Sequence, residues 1–592
     1  MCGIAGIIGI AAPVDPGDLR AMNEAQKHRG PDGEGVWSEG ALGLGHRRLS
    51  IIDPQGGAQP MTSEDGAFRI TYNGELYNYR ELRDELVRCG RRFRTQSDTE
   101  VLLQSYAEWG ENCVTKFRGM FAFGIVDMRE KTLFLARDHY GIKPLVYAKT
   151  DGWFAFSSEL SALKRLPGFP RTIDLDAIDE YLWFQYIPAP RTGYRNAKKL
   201  PPGHTLTIGF DGQAGQPQRY ARESFQSDHF RSAGEWIEAL RAAIDETVAA
   251  HLVSDVPFGA FLSGGIDSGT VVAAMSGLLD APVHTFTIGF RQQEYDESAA
   301  AALVAQSCGA DARCAIVEPD ALGILPELVL HYGEPFGDSS AIPTYYVSKL
   351  ARQFVPMVLS GDGGDEAFAG YNTYKGWMEL PEEQRTMQQW CSIVQYLSGD
   401  MRRRLWKEEY RPYVSEESAV FHQAFAESIT LSPVHRVQYC DSRTYLPFDI
   451  LTKVDIASMA NGLEVRTPFV DSRFRDLITK VPDRWMFGEN AAGVLEGKLL
   501  LRRLQKNVLP AEILSRPKQG FAVPLSHWFK KGGSLRSAVE ERLLSPGSVL
   551  HTCFEPAVIR ELVEQERSGP VWLLLFLEEW LRQQQGPVRP FA

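Results

Sequence analysis

The sequence predicts two domains, an N-terminal domain of layered β-sheets and a C-terminal α/β domain built on a parallel sheet. Three observations lead to this fold class. Residues 1–210 hold many short β-type runs between turn residues and few long helical patterns. Residues 256–290 read as strand, glycine loop, helix and strand, which is the pattern of a βαβ unit. From about residue 375 onward, apolar residues recur mostly at helical spacing.

The first domain contains clear strand signals and one helix signal. Phe68–Tyr72, Phe121–Val126 and Thr132–Ala136 are rich in β-branched and aromatic residues and are bounded by turn residues. A helix is predicted from Tyr79 to Cys89, with Gly90 as a suitable C-cap. We therefore expect a layered sheet structure here.

A polar, turn-rich stretch separates the two domains, and we assign residues 211–231 as the linker. The second domain, residues 232–592, opens with helical spacing from Trp236 to Val253. Val256–Leu262 and Val283–Phe290 are predicted to be buried strands of its parallel sheet.

Charge and composition argue against several classes of protein. The net charge of −12 lacks the basic footprint of a nucleic-acid binder. No apolar stretch approaches the roughly 20 residues that span a bilayer, and the N-terminus lacks a secretory signal pattern. The eight cysteines are scattered, without metal-ligand spacing. We therefore expect free thiols in a reducing cytoplasm, with no nucleic-acid or membrane partner.

The second residue is a cysteine, and its position suggests catalysis. Removal of Met1 would leave Cys2 with a free α-amine, whose ordinary pKa is about 7.7–8.0. That amine can take the thiol proton directly or through a water, so one residue supplies both nucleophile and base. A buried structural cysteine is the alternative for this position taken alone.

Two glycine-rich loops follow predicted strands of the second domain. Ser263–Ser268 opens a helix, whose free N–H groups and dipole suit pyrophosphate, although the loop lacks the ending of a Walker motif. Leu359–Glu366 carries three carboxylates, which suit magnesium held with a triphosphate. Each loop alone also fits an ordinary turn. Together they would meet at the carboxyl edge of one parallel sheet, where ligands bind.

Longer motifs extend over nearly the whole chain, from the N-terminus to the region around Lys518. They are His28–Gly33, Gly45–Ile51, Tyr72–Asn78, Ser97–Glu100, Ala136–Asp138, Gly141–Leu145 and Leu463–Phe469. On these residues the first domain resembles the N-terminal-nucleophile glutaminase domain of class II amidotransferases. The second resembles the ATP-pyrophosphatase synthetase domain. In this order they resemble the glutamine-hydrolysing asparagine synthetases of the bacterial B type.

The resemblance implies an αββα sandwich followed by a parallel-sheet α/β domain with a helical C-terminal part. It implies a cytoplasmic ligase that hydrolyses glutamine and activates aspartate with ATP as an acyl-adenylate. Ammonia would cross the domain interface and displace AMP, giving asparagine, glutamate, AMP and pyrophosphate. ATP and Mg²⁺ are the implied cofactors, and a homodimer is the implied assembly.

The resemblance also assigns roles in the glutaminase domain. Catalysis falls to Cys2 as nucleophile, with the Asn73 side chain and the Gly74 N–H as oxyanion hole, and glutamine binding to Arg48, Asn73, Glu75 and Asp98. Because free glutamine is a zwitterion, its pocket needs one cation for the carboxylate and one or two carboxylates for the ammonium. Taken singly, Arg48 or Asp98 fits a solvated surface charge equally well.

In the synthetase domain the resemblance assigns ATP binding to Leu262, Ser263, Gly264, Gly265, Asp267, Ser268, Ile288, Ser360 and Gly361. Asp267 and Asp365 are the implied magnesium ligands. Asp362 stands where asparagine synthetases carry an acidic residue important for forming the acyl-adenylate. Lys518 matches a lysine that neutralises charge on the adenylated intermediate. Lys453 and Asp455 align with a motif near the pyrophosphate.

The identity of the acceptor carboxylate stays open at this point. Aspartate follows from the resemblance, and Glu334–Ser340 lies in a plausible place for its pocket. An amidotransferase acting on another carboxylic acid is the close alternative. A β-lactam or peptide-bond-forming synthetase usually lacks the cysteine, and Asp362 argues against it. A non-catalytic scaffold would be expected to lose Cys2, Asp267 or Asp365, and a sugar-phosphate amidotransferase should lack Ser263–Ser268.

Overall fold

Two six-stranded sheets make up the centre of the first domain, and their strands pair antiparallel. The computed structural model describes residues 1–317, 320–490, 493–516, 520–521 and 523–584. In chain order the strands are β1 Cys2–Gly9, β2 Gly33–Glu39, β3 Leu42–Arg48, β4 Met61–Thr62, β5 Phe68–Leu76, β6 Gly119–Asp127, β7 Thr132–Arg137, β8 Val146–Lys149, β9 Trp153–Ser157, β10 Ala197–Lys199, β11 His204–Gly209 and β12 Gln218–Arg219. One sheet has the order β10-β8-β9-β1-β3-β2, and the other has β12-β11-β7-β6-β5-β4.

The two sheets face each other across an apolar layer, to which Ile4 and Leu44 contribute from one sheet and Val126 and Leu135 from the other. Helices Pro16–Ala25 and Leu160–Leu163 contact the first sheet, while Tyr79–Arg88 and Asp98–Trp109 lie together with the second. The predicted αββα sandwich is confirmed.

Local signals explain where the helices of this domain begin and end. The helix predicted to reach Cys89 ends at Arg88, and Gly90 follows with φ +89°, a left-handed conformation that glycine adopts without strain. The next helix starts at Asp98 because the Ser97 hydroxyl accepts a hydrogen bond from the Thr99 N–H at 3.2 Å. This cap fixes Asp98 in the first turn.

The second domain contains a five-stranded parallel sheet, as predicted. Its strands are β13 Phe258–Phe261, β14 His284–Gly289, β15 Asp311–Ile316, β16 Met357–Leu359 and β17 Glu464–Arg466, in the order β15-β14-β13-β16-β17. A separate short pair joins β18 Gly488–Glu489 to β19 Leu495–Glu496. The run from Val256 forms a strand only from Phe258, because Pro257 has no N–H to donate to a ladder.

Helices surround this sheet and make up most of the rest of the chain. After Leu175–Phe184 of the first domain they are Ala233–His251, Ile266–Leu278, Ser298–Cys308, Ala321–Tyr332, Ala341–Arg352, Gly364–Phe368, Asn372–Met378, Met387–Val394, Gly399–Leu405, Ala419–Glu427, Pro433–Arg443, Leu451–Met459, Ser472–Ile478, Asp483–Met486, Leu499–Gln505, Ala511–Ser515, Leu525–Phe529, Arg536–Leu544, Pro556–Glu564 and Ser568–Arg582. The helical C-terminal part is thus confirmed. Among the described residues, no helix is long and apolar enough to cross a membrane.

The stretch predicted to be a linker is held against both domains. Its strand β12 pairs with β11 and so extends the second sheet of the sandwich. Further along, the Glu223 carboxylate accepts hydrogen bonds from the Tyr140 hydroxyl at 3.1 Å and from Arg475 Nε at 2.7 Å. Tyr140 belongs to the first domain and Arg475 to the second, so this segment tethers the two.

Buried ion pairs connect the two domains directly. Asp455 of the second domain accepts from Arg29 Nη2 at 2.8 Å and from Lys143 Nζ at 3.1 Å, and all three side chains are almost fully buried. Arg29 also donates to Glu159 at 3.0 Å within its own domain. The Asp455 carboxylate therefore faces the domain interface, where it pairs with two cations of the other domain, and its alignment with a motif near the pyrophosphate stays a prediction.

We predict that Asp455→Asn lowers the free energy of unfolding by about 3–5 kcal/mol, because it leaves Arg29 and Lys143 as buried, uncompensated cations. The measurement is urea denaturation followed by circular dichroism. Glu24→Gln is the control, since Glu24 pairs with Lys27 on the exposed surface, and such pairs contribute about 0–1 kcal/mol. Similar small losses in the two variants would contradict the stabilising role of the buried pairs.

Candidate active sites

The first candidate site lies where β1 of one sheet meets β5 of the other. Cys2 is the first residue of β1, opposite Arg48 of β3, and is 8% exposed. Its backbone N–H donates to the Asn73 Oδ1 at 2.9 Å. The sandwich therefore brings together Cys2, Arg48 and Asn73, which lie far apart in sequence.

The Asn73 side chain presents a hydrogen-bond donor at this site. Since its oxygen accepts from Cys2, its Nδ2 is free to donate, and that atom is buried without a partner among the described residues. Gly74 follows with φ +157°, and a Cβ there would lie 2.1 Å from the Met120 carbonyl oxygen. Only glycine fits this close approach. A buried, unpaired donor beside a thiol is the arrangement an oxyanion hole requires.

The surroundings of the Cys2 thiol favour its neutral form. Burial raises the pKa of the thiol, while the α-ammonium of Met1 and the guanidinium of Arg48 oppose the rise. The structure retains Met1, whose ammonium is buried and pairs with Glu464 at 2.7 Å. Removal of Met1 would convert the amide N–H of Cys2 into an amine beside the thiol, which supplies a base at this point.

Two buried carboxylates line the same pocket. Asp98 accepts hydrogen bonds from the Tyr72 hydroxyl at 2.9 Å and from the Leu76 N–H at 3.1 Å. The Glu75 Oε2 is buried and has no hydrogen-bond partner among the described residues. Burial raises the pKa of both carboxyl groups. A bound ammonium would stabilise their charged forms, so the pair suits an α-ammonium ligand.

Arg48 supplies the cation of this pocket. Its guanidinium donates to the carbonyl oxygens of Pro54 at 2.8 Å and Asp53 at 2.7 Å. These bonds orient the side chain without neutralising it, and no described carboxylate forms an ion pair with it. A carboxylate ligand could therefore bind there as a charge-assisted pair.

The second candidate site is a cavity of about 810 Å³ at the carboxyl edge of the parallel sheet. The residues assigned to ATP and magnesium line it, namely Leu262, Ser263, Gly264, Gly265, Asp267, Ser268, Ile288, Ser360, Gly361 and Asp365, together with Asp362 and Lys453. The two glycine loops therefore meet as expected from their positions after β13 and β16. Lys518 lies outside the described residues, although Arg516 and Gly520 on either side of it line the cavity.

Glycines allow the two loops to come into contact. Gly264 has φ +74°, and a Cβ there would lie 2.7 Å from the backbone nitrogen of Ala301. A Cβ on Gly361 would lie 2.6 Å from the backbone nitrogen of Ser268. A side chain at Gly361 would push the two loops apart, and one at Gly264 would push the first loop away from helix Ser298–Cys308. Glycine therefore sets both approaches.

Asp267 and Asp365 converge on one cation. The Lys498 ammonium is 2.7 Å from the Asp365 Oδ1 and also forms an ion pair with Asp267. Lys498 is 4% exposed and immediately precedes helix Leu499–Gln505. Two carboxylates that share one ammonium lie close enough to share a metal ion, and oxygen donors are the ligands that Mg²⁺ prefers.

The segment Glu334–Ser340, expected near the acceptor, divides between two environments. Glu334 forms an ion pair with Lys199 of the first domain and accepts from the Gly193 N–H at 3.0 Å. Asp338, by contrast, pairs at 3.2 Å with Lys453, which lines the cavity. Asp338 thus acts on the cavity through Lys453, whereas Glu334 serves the domain interface.

A third group of possible ligands lies at the domain interface. His28, Glu159 and His331 place their donor atoms within 4.8 Å of one another. The same Glu159 oxygen, Oε1, already contacts His28 Nε2 and Arg29 Nη1 at 3.0 Å each. Burial raises the pKa of Glu159, but its contacts with His28 and Arg29 outweigh burial and lower the pKa to about 2. Because this carboxylate is already neutralised, we assign the group a structural role.

Sequence reasoning missed three residues that contact these sites, namely Glu464, Arg466 and Lys498. Arg466 lies 3.5 Å from Glu75, and Glu464 holds the α-ammonium of Met1. The first two belong to the motif Leu463–Phe469, which carried no assigned role. The available signal was two charged residues on either side of Val465 in a run bounded by Leu463 and Phe469.

Comparison with known proteins identifies the class of each half. Residues 1–221 match the glutamine amidotransferase domain, and residues 239–582 match asparagine synthase. A glutamine-hydrolysing domain is therefore joined to an amide-forming synthase domain in one chain. The chain belongs to the asparagine synthase family.

Curated relatives match over nearly the full length. The glutamine-hydrolyzing asparagine synthetase 1 of Bacillus subtilis is 34% identical, with 98% of this chain and 96% of that protein covered. A putative glutamine-hydrolyzing asparagine synthetase of Mycobacterium bovis is 33% identical, covering 98% and 97%. Another from Methanocaldococcus jannaschii is 34% identical over 74% of this chain and 91% of its own.

We predict that Asn73→Ala lowers kcat for glutamine hydrolysis by about 10²–10³-fold, the typical loss of one oxyanion donor. Ammonia-dependent product formation should be retained, because Asn73 lies outside the cavity of the second domain. The measurement is glutamate release beside pyrophosphate release. Asn78→Ala is the matched control, since both polar atoms of Asn78 bond to backbone groups of residues 116 and 118. A normal rate in Asn73→Ala would rule out the assigned role.

Proposed function

We propose that this protein converts aspartate to asparagine, with glutamine as nitrogen donor and ATP as energy source, releasing glutamate, AMP and pyrophosphate. One observation carries the proposal: a buried cysteine beside an unpaired donor and a nucleotide-type loop cavity occur in one chain of the asparagine synthase family. The first domain would supply ammonia, and the second would supply the activated carboxylate with which ammonia reacts.

In the glutaminase half, Cys2 would attack the side-chain carbonyl carbon of glutamine. Its thiol proton would pass to the α-amine, and the tetrahedral oxyanion would accept hydrogen bonds from the Asn73 Nδ2 and the Gly74 N–H. Collapse would break the C–N bond, and the departing nitrogen would take the proton and leave as ammonia. Water would then cleave the thioester to give glutamate and regenerate the thiol.

Selection for glutamine would follow from the pattern of charge. Arg48 offers the cation for the α-carboxylate, and Glu75 and Asp98 offer anions for the α-ammonium. Because both carboxylates are buried, keeping them charged in the empty pocket costs free energy. A ligand that brings the complementary charges removes this cost and therefore binds more tightly. A simple amide without these groups would lack both interactions.

In the synthetase half, a carboxylate oxygen of aspartate would attack the α-phosphorus of ATP, and pyrophosphate would leave. Ammonia would then attack the acyl carbon, and AMP would leave with the C–O bond electrons. Asp362 is held by the Ser360 hydroxyl at 2.6 Å and lines the cavity beside Lys453. We assign Asp362 to formation of the acyl-adenylate and Lys518 to charge neutralisation on the adenylated intermediate.

Magnesium fits the donor set of Asp267 and Asp365. Bound there with the triphosphate, the ion would neutralise negative charge on the departing pyrophosphate. Lys498 pairs with both carboxylates and would have to release them to the ion. Asp267 would thus bind the metal rather than the phosphate, because a carboxylate and a phosphate repel each other.

Two further proposals concern the setting of the reaction. All eight cysteines are free thiols in the structure, which supports a reducing compartment such as the cytoplasm. The resemblance to asparagine synthetases supports a homodimer. Domain limits of 1–210 and 232–592 with the intervening linker remain our proposal for the functional units.

The direct test follows pyrophosphate and product mass with ATP, magnesium and glutamine, with and without aspartate. We expect asparagine and pyrophosphate to form together only when aspartate is present. Cys2→Ala is the matched variant, which should lose glutamine-dependent synthesis and keep ammonia-dependent synthesis. Glutaminase activity without aspartate-stimulated pyrophosphate would mean another acceptor, and loss of both activities in folded Cys2→Ala would refute two separate sites.

We predict that Asp267→Asn slows magnesium-dependent cleavage of ATP by at least about 10²-fold, since metal stabilisation contributes several kcal/mol. Glutamine hydrolysis should remain, because this carboxylate lies in the other domain. The measurement is AMP formation at rising magnesium concentration. Asp311→Asn serves as control, as Asp311 lies on β15 and pairs with Arg313 outside the cavity. Wild-type ATP turnover in Asp267→Asn would refute the metal assignment.

A further inference from the structure

Strand β17 presents two charged side chains to the glutaminase domain. Glu464 and Arg466 alternate with Val465 and therefore point to the same side of the strand. Both are completely buried. The Glu464 carboxylate accepts from the α-ammonium of Met1 at 2.7 Å and from Arg466 Nε at 2.6 Å. The second domain thus places a charge pair beside the N-terminus that carries the nucleophile.

Hydrogen bonds from two of its nitrogen atoms fix the orientation of the Arg466 guanidinium, and the third nitrogen faces Glu75. Its Nε donates to Glu464, and its Nη1 donates to the carbonyl oxygens of His251 at 2.8 Å and Val253 at 2.7 Å. Its Nη2 lies 3.5 Å from the Glu75 Oε2. Neither of these last two atoms has a hydrogen-bond partner among the described residues. They face each other at ion-pair distance.

We propose that Arg466 is a positioning residue of the glutaminase site, supplied by the synthetase domain. Its guanidinium, 3.5 Å from the Glu75 Oε2, opposes the effect of burial and favours the charged carboxylate that the α-ammonium of glutamine would bind. This inference rests on the proposed function of Glu75. The glutamine pocket is then complete only when β17 is docked against the sandwich.

Electrostatics around Glu75 support this role. Burial, Glu464 and Asp98 raise the pKa of Glu75, and Arg466 and the α-ammonium lower it. The uncharged titratable groups that face it are Tyr72, Tyr77 and Cys2. Arg466 is thus the side chain that opposes protonation of Glu75, and an ammonium ligand binds the ionised carboxyl group.

The backbone of Arg466 connects it to the other site. Its carbonyl oxygen accepts from the Ser360 N–H at 2.9 Å, in a parallel ladder that pairs Leu359 with Arg466. Ser360 begins the loop that lines the nucleotide cavity. One residue therefore touches the glutamine pocket with its side chain and the nucleotide loop with its main chain.

The test compares Arg466→Gln, Arg466→Lys and Arg475→Gln by glutamate release at several pH values. Loss of the charge in Arg466→Gln raises the pKa of Glu75 further. We therefore expect the KM for glutamine to be at least about tenfold higher at neutral pH, because the charge-assisted contact between Glu75 and the α-ammonium of glutamine is lost. This KM should fall as pH rises and Glu75 ionises, with kcat little changed. Arg466→Lys should restore most of the affinity.

Arg475→Gln is the matched control. Arg475 is a buried arginine of the same domain whose partners are Glu223 and Tyr140, away from Glu75. Its variant should keep the wild-type pH profile of KM. The proposal would be overturned if Arg466→Gln raised KM without any pH dependence. It would also be overturned if Arg466→Gln and Arg475→Gln gave the same pH profile of KM.

Glu464→Gln keeps the inference testable if Arg466→Gln fails to fold. Removing this negative charge lowers the pKa of Glu75, so tight glutamine binding should extend to lower pH, the opposite of the arginine variant. An unchanged profile in this variant would also overturn the proposal. Absence of glutaminase activity in the wild-type protein would instead refute the proposed function, and would do so before any variant is compared.

Discussion

Charge buried between the two domains has to be balanced across the interface, and this constraint governs how the domains dock. Arg29 and Lys143 of the sandwich are buried and find their counter-charge in Asp455 of the second domain. Glu464 and Arg466 bring a second set of charges to the N-terminus. An unpaired buried ion costs several kcal/mol, whereas a paired one is tolerated. Sliding the domains would separate these groups, so the ion pairs specify one arrangement.

That arrangement places each site under the influence of the other domain. The glutaminase pocket lies within the sandwich, but the charge of its Glu75 depends on Arg466 from β17. The nucleotide loop begins at Ser360, whose N–H is held by the same Arg466. Under the proposed function, ammonia made in one half is used in the other. Phe184 and Gln185 of the first domain also line the nucleotide cavity, so neither pocket is built by one domain alone. A shared strand beside both pockets suits such a division of work.

The two sites solve opposite electrostatic problems. Around Cys2 the protein buries two carboxylates with raised pKa values and an amide donor that has no partner in the described part of the chain, so that a bound glutamine would supply the missing groups. In the cavity of the second domain, the carboxylates of Asp267 and Asp365 are already paired with Lys498. In the pocket at Cys2, a ligand would supply charges that the protein lacks. In the nucleotide cavity, a ligand would have to displace an ion pair that already exists. Both arrangements depend on burial, which strengthens each interaction.

Local signals in the sequence predicted a layered sheet domain, the parallel sheet and the glycine loops, because strand runs, helix caps and glycine turns are set by neighbouring residues. The αββα order of the first domain came from the resemblance to class II amidotransferases. The same resemblance also singled out Cys2, Asn73, Glu75 and Asp98 as a set. Only the tertiary structure decided that Asp455 serves the interface. It alone placed Lys498 between Asp267 and Asp365, and Arg466 beside Glu75. Those pairs join residues 231 and 391 positions apart, and no local pattern reports which distant charge a buried group will meet, since packing of whole domains decides it.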